Sequence, residues 1–420
     1  MAFQQGLSGL NAASAGLDVI GNNIANANTV GFKSAQAQFA DVYANSLLGG
    51  GNAVGLGTQV VTVAQQFSQG NVTSSSNPLD VAINGSGFFR MSDNGTLSYS
   101  RNGQFQLDKA GYVVNATGIS LTGFPVDANG QIVPSSPIPL QIQTGDIAPR
   151  VSSTMNATLN LDARLVPPLS APFDPADPTS YNNSTSLTLF DTLGNPHLLS
   201  MYFVKTAISN EWDTYVTADG TPAANVDLGA GAGVAVQLDF TTSGVLTTAM
   251  PIPVTIDLDA VAVSLGTVNG AATPLTVAMD FGATTQFGSN FGVNSLAQNG
   301  FTSGRLSGLA VSQDGIIKGR YSNGQSRNIG QIVLANFNNA QGLKPLGSNQ
   351  WAESSDSGPA AVGAPNTGSL GVLQASSVED SNVDLTAELV NMITMQRAYQ
   401  ANAQTIKTQD AVLQTLVNLR

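Results

Sequence analysis

"GLDVIGNNIANANTVGFK", residues 16–33, carries an apolar helical stripe into four asparagines, Asn22, Asn23, Asn26 and Asn28, and stops at Gly31. Upstream, Phe3, Leu7, Leu10, Ala13, Leu17, Ile20 and Ile24 recur at steps of 4, 3, 3, 4, 3 and 4. The mean step is that of a coiled-coil helix. Gly6, Gly9, Gly16 and Gly21 interrupt the segment, each costing up to ~1 kcal/mol relative to Ala. Such a helix is marginal alone in water and needs a partner.

No helical stripe follows nearby, but one stands at the far end of the chain. Leu385, Leu389, Met392, Met395, Tyr399, Ala403, Ile406, Leu413 and Leu416 line it, and Asp384 precedes it as an N-cap. A helix over 385–419 is about 50 Å long at the standard rise per residue. Asp410 interrupts the stripe, with Lys407 as a pairing candidate. The matched periods predict that the two ends meet in a helical base, with everything between them an excursion.

The excursion reads as β. Alternating runs such as "PLDVAINGSGFFRM" (78–91) and "YSRNGQFQLDKAGYVVN" (99–115) are punctuated by Asn84-Gly85, Asn94-Gly95 and Asn102-Gly103. Residues 184–205 read as two strands around a turn at Gly194-Asn195-Pro196, and "IPVTIDLDAVAVSL" (252–265) as further strand. Two stretches read as linkers or loops: 166–180, with five of the 19 prolines, and 354–371. The fold class is therefore mainly β with terminal α-helices, two barrel- or sandwich-like β domains being inserted between helices that form a coiled-coil base. The expected divisions are a polymerisation domain (1–28 plus 384–420), a connecting region (29–70 plus 369–383), a first β domain (71–145 plus 296–368) and an outer β domain (146–295).

Composition narrows the function. Only 10% of the 420 residues are charged, where a globular domain has roughly 25%. The net charge is −12, and no basic residue occurs between Lys205 and Arg305. An acidic surface argues against nucleic acid, whose phosphates need Lys and Arg. There is no cysteine, hence no disulfide framework or thiolate chemistry. The N-terminus lacks the basic n-region and apolar core of a cleavable signal peptide. No apolar run approaches a membrane span, so the reading is of a soluble protein without membrane insertion.

Catalytic and metal signatures are missing. The single histidine, His197, sits beside Pro196 in the predicted turn, where a structural role is the simplest reading. No nucleophile elbow, Walker loop or His-Glu-x-x-His occurs. Asp380, Asp384 and Glu388 fail the EF-hand pattern, because Leu385 and Asn391 fall where Gly and Glu are required. Asp257 and Asp259 lie two apart in a predicted strand, on one face, with no partner group. The expectation is no enzyme, no cofactor and no metal.

The terminal stripes carry more apolar surface than one pair of helices covers. One reading is an intramolecular hairpin docked on the β domains. The other is packing against neighbouring subunits, with non-closing contacts that give a filament or tube. The candidate polymerisation residues are Phe3, Leu7, Leu10, Leu17, Ile20, Ile24, Leu385, Leu389, Met392, Met395, Tyr399, Ile406, Leu413 and Leu416. Asn22, Asn23, Asn26, Asn28 and Gly31 are assigned to helix termination, through amide caps and a left-handed turn.

"SGLNAASAGLDVIGNNIANANTVGFK" (8–33) resembles the N-terminal signature of the bacterial flagellar rod and hook axial proteins, and 381–419 resembles their C-terminal signature. "NPLDVAINGSGFF" (77–89), "YSRNGQF" (99–105) and "NATGISLTGF" (115–124) resemble their first β domain. The resemblance is closest to hook-type members, since residues from about 146 to 295 supply a large second β domain and 190–205 resembles a hook hairpin. It implies a homopolymer forming a curved, flexible tube, a universal joint passing torque from rod to filament. The implied partners are further copies of the chain, the distal rod protein, the hook cap protein, the hook–filament junction protein and the flagellar type III export apparatus. It also implies an extracellular, flagellar location reached without a cleaved signal. Outer contacts in such a joint are expected to be small and weak enough to exchange. The alternatives are a distal rod-type subunit and a secreted β-rich adhesin.

Overall fold

The computed structural model describes residues 2–42, 55–128, 130–143 and 145–418. Helix α1 spans Ala2–Ala25, a short α2 spans Leu258–Leu265, and α3 spans Leu385–Asn418. Nearly all other regular structure is strand. The predicted class, mainly β between two terminal helices, is the observed one. Asp384 caps α3, its carboxylate accepting from Thr386 N (2.9 Å) and Ala387 N (3.1 Å).

The chain forms two compact units. The first comprises Met1–Thr144, Ser307–Arg320 and Ser326–Arg420. It holds α1 against α3, an antiparallel hairpin of Ala35–Val42 on Gly57–Gln65, and a large sheet in which Ser120–Phe124, Phe88–Asp93 and Thr96–Ser100 are neighbours. The Asn94-Gly95 turn joins the last two strands, both residues having positive φ (48° and 95°), as a tight hairpin requires. Late strands complete early ones: Val372–Ala375 pairs with Val81–Asn84, and Ser377–Glu379 with Val72–Ser74. An aromatic core of Phe88, Tyr99, Phe337 and Trp351 fills the sheet's inner side, with edge-on contacts such as Phe88–Trp351 at 5.7 Å.

The second unit comprises Gly145–Leu306 and Tyr321–Gln325. One sheet is built on Thr154–Asp162, parallel to Leu275–Asp280 and Thr285–Phe287 and antiparallel to Gly292–Gln298. The other is antiparallel: Asn183–Phe190, Pro196–Lys205, Glu211–Ala218 and Val236–Asp239. Every second residue of Pro196–Lys205 from Leu199 onward is buried, the mark of a strand with one face in the core. Leu199, Met201, Phe203 and Trp212 pack there with Leu159, Val254, Val277 and Met279, making a sandwich.

Several local expectations are corrected. Residues 252–265 are not all strand: strand Ile252–Ile256 gives way to α2. Asp257 is the N-cap of that helix, accepting from Asp259 N and Ala260 N, so the two aspartates do not share a strand face. The alternating apolar pattern fits either structure, and the cap decides it. His197 lies within a strand, not the turn, with Nδ1 2.7 Å from Asp219 Oδ2. Residues 354–371 include a short strand, Ala361–Gly363. The proline-rich loop folds back on the second unit, Phe173 stacking on Tyr215 at 4.2 Å. Asp410 accepts from Gln414 Nε2 (3.1 Å) in place of a Lys407 partner.

Candidate assembly interface

Helices α1 and α3 meet along small residues. Gly6, Gly9, Ala13, Gly16, Ile20 and Asn23 follow one another at steps of 3, 4, 3, 4 and 3, the spacing of a coiled-coil seam. A Cβ placed on Gly6 would stand 3.1 Å from Ile406 Cγ1, one on Gly9 2.7 Å from Asn402 Oδ1, and one on Gly16 3.4 Å from Met395 Sδ. The glycines therefore weaken the isolated helix but let α3 approach its backbone. The large residues of the predicted stripe lie on the adjoining face of α1. Ile20 alone is buried; Leu10, Leu17 and Ile24 are half-buried, and Phe3 and Leu7 are exposed.

On α3, Met392, Met395 and Ile406 are half-buried, whereas Leu385, Leu389, Tyr399 and Leu413 are exposed; the side chain of Leu416 lies outside the described residues. Val390 and Ile393 extend the exposed apolar face, Leu389 being 46% and Ile393 51% accessible. The hairpin Ala35–Val42/Gly57–Gln65 lies along α1, Thr58 N donating to Ser8 Oγ (3.3 Å), and presents Val61 and Val63 outward. A cleft of about 410 Å³ opens between the helices and this hairpin, lined by Val19, Ile20, Phe39, Asn391 and Met395 among others.

The asparagines divide between two tasks. Asn26 Nδ2 donates to Asn22 O (3.0 Å), closing the end of α1, and Thr29 Oγ1 donates to Asn26 Oδ1 (3.2 Å). Asn23 is buried and turned inward. It brackets the backbone of Ala35, donating to its O (2.8 Å) and accepting from its N (2.9 Å), and reaches Glu388 Oε1 on α3 (3.2 Å). Asn22 and Asn28 are exposed. At Gly31 (φ +70°) the chain turns against Asn102, where a Cβ would stand 2.6 Å from the backbone N. Only glycine fits that left-handed, crowded position.

Beyond the turn lies a polar junction that the sequence gave no reason to single out. Lys33 Nζ donates to Glu379 Oε1 (2.6 Å) and Ser68 O (2.7 Å), with both charged side chains wholly buried. Gly70 N donates to the same carboxylate oxygen (2.9 Å), and Gly31 N to Glu379 O (2.8 Å). Arg101 approaches Glu379 Oε2 at 3.5 Å and donates to Gly85 O (2.7 Å). Burial pulls the Lys33 ammonium below its ordinary range, while the Glu379 charge and hydrogen bond oppose the fall. Asn382 completes the knot, accepting from Ser34 N and donating to Gln66 O, both at 2.7 Å. Isolated charges far apart in sequence leave no local pattern. The one readable signal was the glycine spacing, Gly6-x-x-Gly9 and Gly16.

Family models match four successive segments: "Flagella basal body rod protein" over residues 3–33, "Flagellar hook protein FlgE/F/G D1 domain" over 82–148, "Flagellar basal body protein FlaE D2 domain" over 160–301, and "Flagellar basal body rod FlgEFG protein C-terminal" over 374–419. The flagellar hook protein FlgE of Salmonella typhimurium is 43% identical over 426 residues, covering 100% of both chains. That of Borreliella burgdorferi is 33% identical over 442 residues, covering 100% of this chain and 99% of the relative. The crystal structure of the Helicobacter pylori flagellar hook protein FlgE2 aligns with 73% of this chain and 99% of its own, at 14% identity and a TM-score of 0.49, a likeness too slight to build on. On the full-length identities, the chain belongs to the flagellar hook protein FlgE family.

Proposed function

We propose that this chain is the structural subunit of a bacterial flagellar hook, polymerising through its terminal helices into a curved, flexible tube that passes torque from rod to filament. The observation that carries this is the division of apolar surface on the helices. Small residues of α1 take up the intramolecular contact with α3, so larger ones, Phe3 and Leu7 with Leu385, Leu389 and Ile393, stay uncovered. An apolar face that extensive on one end of a monomer marks a protein–protein contact. Burial there contributes ~25 cal/mol per Å² of apolar surface.

The polymer's other partners follow from a place in the flagellum: the distal rod protein at one end, the cap and hook–filament junction proteins at the other, and the type III apparatus during export without a cleaved signal. The role is mechanical, not catalytic. His197, the one imidazole, is held between Asp219 and Asp191 as part of a strand end.

Electron microscopy of the purified chain under salting-out conditions tests the reading, beside a chain lacking residues 1–28 and 384–420. Curved tubes from the full chain alone are expected. Straight tubes would favour a rod-type subunit, and monomers from both chains would reopen the adhesin.

A further inference from the structure

The second unit carries thirteen carboxylate residues against four Lys or Arg. Copies of such a unit repel one another, so any contact between them needs surface without charge. Two places stand out. The loop before strand Asn183–Phe190 runs "LVPPLSAPF" without a charged residue, and in it Leu169 is 99% and Val166 71% exposed. The segment 260–279 is also uncharged, with Val268 97% and Val263 79% exposed.

The fold sets these two places at opposite ends of one sheet. Val166 O accepts from Asn182 Nδ2 (2.9 Å), and Ser170 accepts from Thr179 Oγ1 (2.9 Å), which ties the Leu169 arm to the start of Asn183–Phe190. That start pairs with the far end of Pro196–Lys205, Asn183 facing Phe203. At the other end Phe190 faces Pro196, and the turn between them carries the half-exposed Leu193. Segment 268–272 lies beside this turn. Ala272 N donates to Thr192 Oγ1 (3.0 Å), and Leu193 Cδ1 stands 3.7 Å from where a Cβ on Gly270 would be. Eight residues of strand separate the two patches, about 26 Å at the extended rise.

The geometry points to a head-to-tail contact between outer units, in which the Val166/Leu169 arm of one copy seats on the Leu193/Val268 corner of the next. Two different patches at opposite ends make a heterologous contact that repeats without closing. The occupant is a second copy because each patch is uncharged within an acidic unit, and each offers the other its missing apolar neighbour. The prolines at 167 and 168 hold the arm extended, so little entropy is lost when Leu169 is seated. With so few apolar side chains in it, the contact can exchange as a tube bends. The proposal rests on the hook-subunit reading for its setting, and names the partner surface of the outer unit.

The chain has no cysteine, so engineered pairs report contacts cleanly. Full-length chains carrying Leu169→Cys are mixed with chains carrying Val268→Cys or Leu193→Cys, assembled by salting out, oxidised, and run on a non-reducing gel. Leu169→Cys with Ser243→Cys is the control, since the turn of Ser243 follows Asp239, which pairs with Glu211 at the arm's own end of the sheet. Disulfide-linked dimers at least about tenfold above the control are expected with one or both corner positions. Linkage no greater than the control at both positions would overturn the contact, as would tip-to-tip dimers of Leu169→Cys alone. If no tubes form, the hook reading fails separately: corner-specific linkage in solution would still establish the contact, and its absence would overturn that too.

Discussion

Lys33 Nζ lies 2.6 Å from Glu379 Oε1 inside the first unit, joining positions 346 residues apart in sequence. Neither charge reaches solvent, so each depends on the other and on the backbone groups around it. Glu379→Gln leaves Lys33 and Arg101 without an anion and is expected to cost roughly 3–5 kcal/mol of first-unit stability at neutral pH. Trp351 fluorescence during denaturant unfolding measures it, in a Trp212→Phe background that silences the second unit. A loss below about 1 kcal/mol would mean that water or rearrangement already screens the pair.

The same variant has a pH signature. Burial holds Lys33 below its ordinary range and Glu379 opposes the fall, so removing the carboxylate lowers it further. A lysine depressed in the folded state binds fewer protons there than when unfolded. Stability therefore rises with pH between the lowered folded value and the unfolded one near 10.5. The deficit of Glu379→Gln should shrink as pH is raised from 7 toward 10. A deficit that stays constant would show that Lys33 does not titrate in that window.

How much of this was legible depends on range. The terminal stripes, the Asp384 cap and the Asn94-Gly95 hairpin are written within a few residues and read correctly from them. The helix seam was misplaced by one position. Large apolar residues were given the inner face, whereas close approach of α3 demands the glycines there. Asp257 went unread because "IDLDAVAVSL" satisfies strand and helix alternation alike until its cap is seen. The Lys33–Glu379 junction was out of reach, being two lone charges with no period between them.

Glycine position along α1 yields a paired prediction. Gly21 has nothing within 4 Å of a Cβ, so Gly21→Ala gains helix propensity, up to ~1 kcal/mol, at no steric cost. Gly9→Leu gains propensity too but drives its side chain into Asn402, forcing α3 away. Hydrogen exchange of α1 amides should slow in the first variant and accelerate in the second. Slowing in both would move the seam off Gly9.

Tyr99 is buried in the aromatic core, its Oη 3.2 Å from Glu353 Oε2. Burial first, and the Glu353 carboxylate second, push its phenol up to about 12. A group whose folded value is raised contributes stability that is complete below its unfolded value near 10, and is lost as pH climbs toward about 12. Tyr99→Phe should therefore lose less stability than the natural chain across that window. Equal losses would show that Tyr99 ionises with ordinary tyrosines.

The outer face of α3 separates assembly from folding. Leu389 and Ile393 lie four apart, on one side of the helix, and both are exposed in the monomer. Changing both to Asp should leave monomer stability within about 0.5 kcal/mol per site, as for surface positions generally. In a tube each would lose a buried apolar contact and place a charge in the inner layer. The two losses together should raise the critical concentration for polymerisation roughly a hundredfold or more. Sedimentation of tubes against protein concentration reads this directly. Tubes forming at the natural concentration would remove this face from the interface and leave Phe3 and Leu7 of α1 as the surface that neighbours cover.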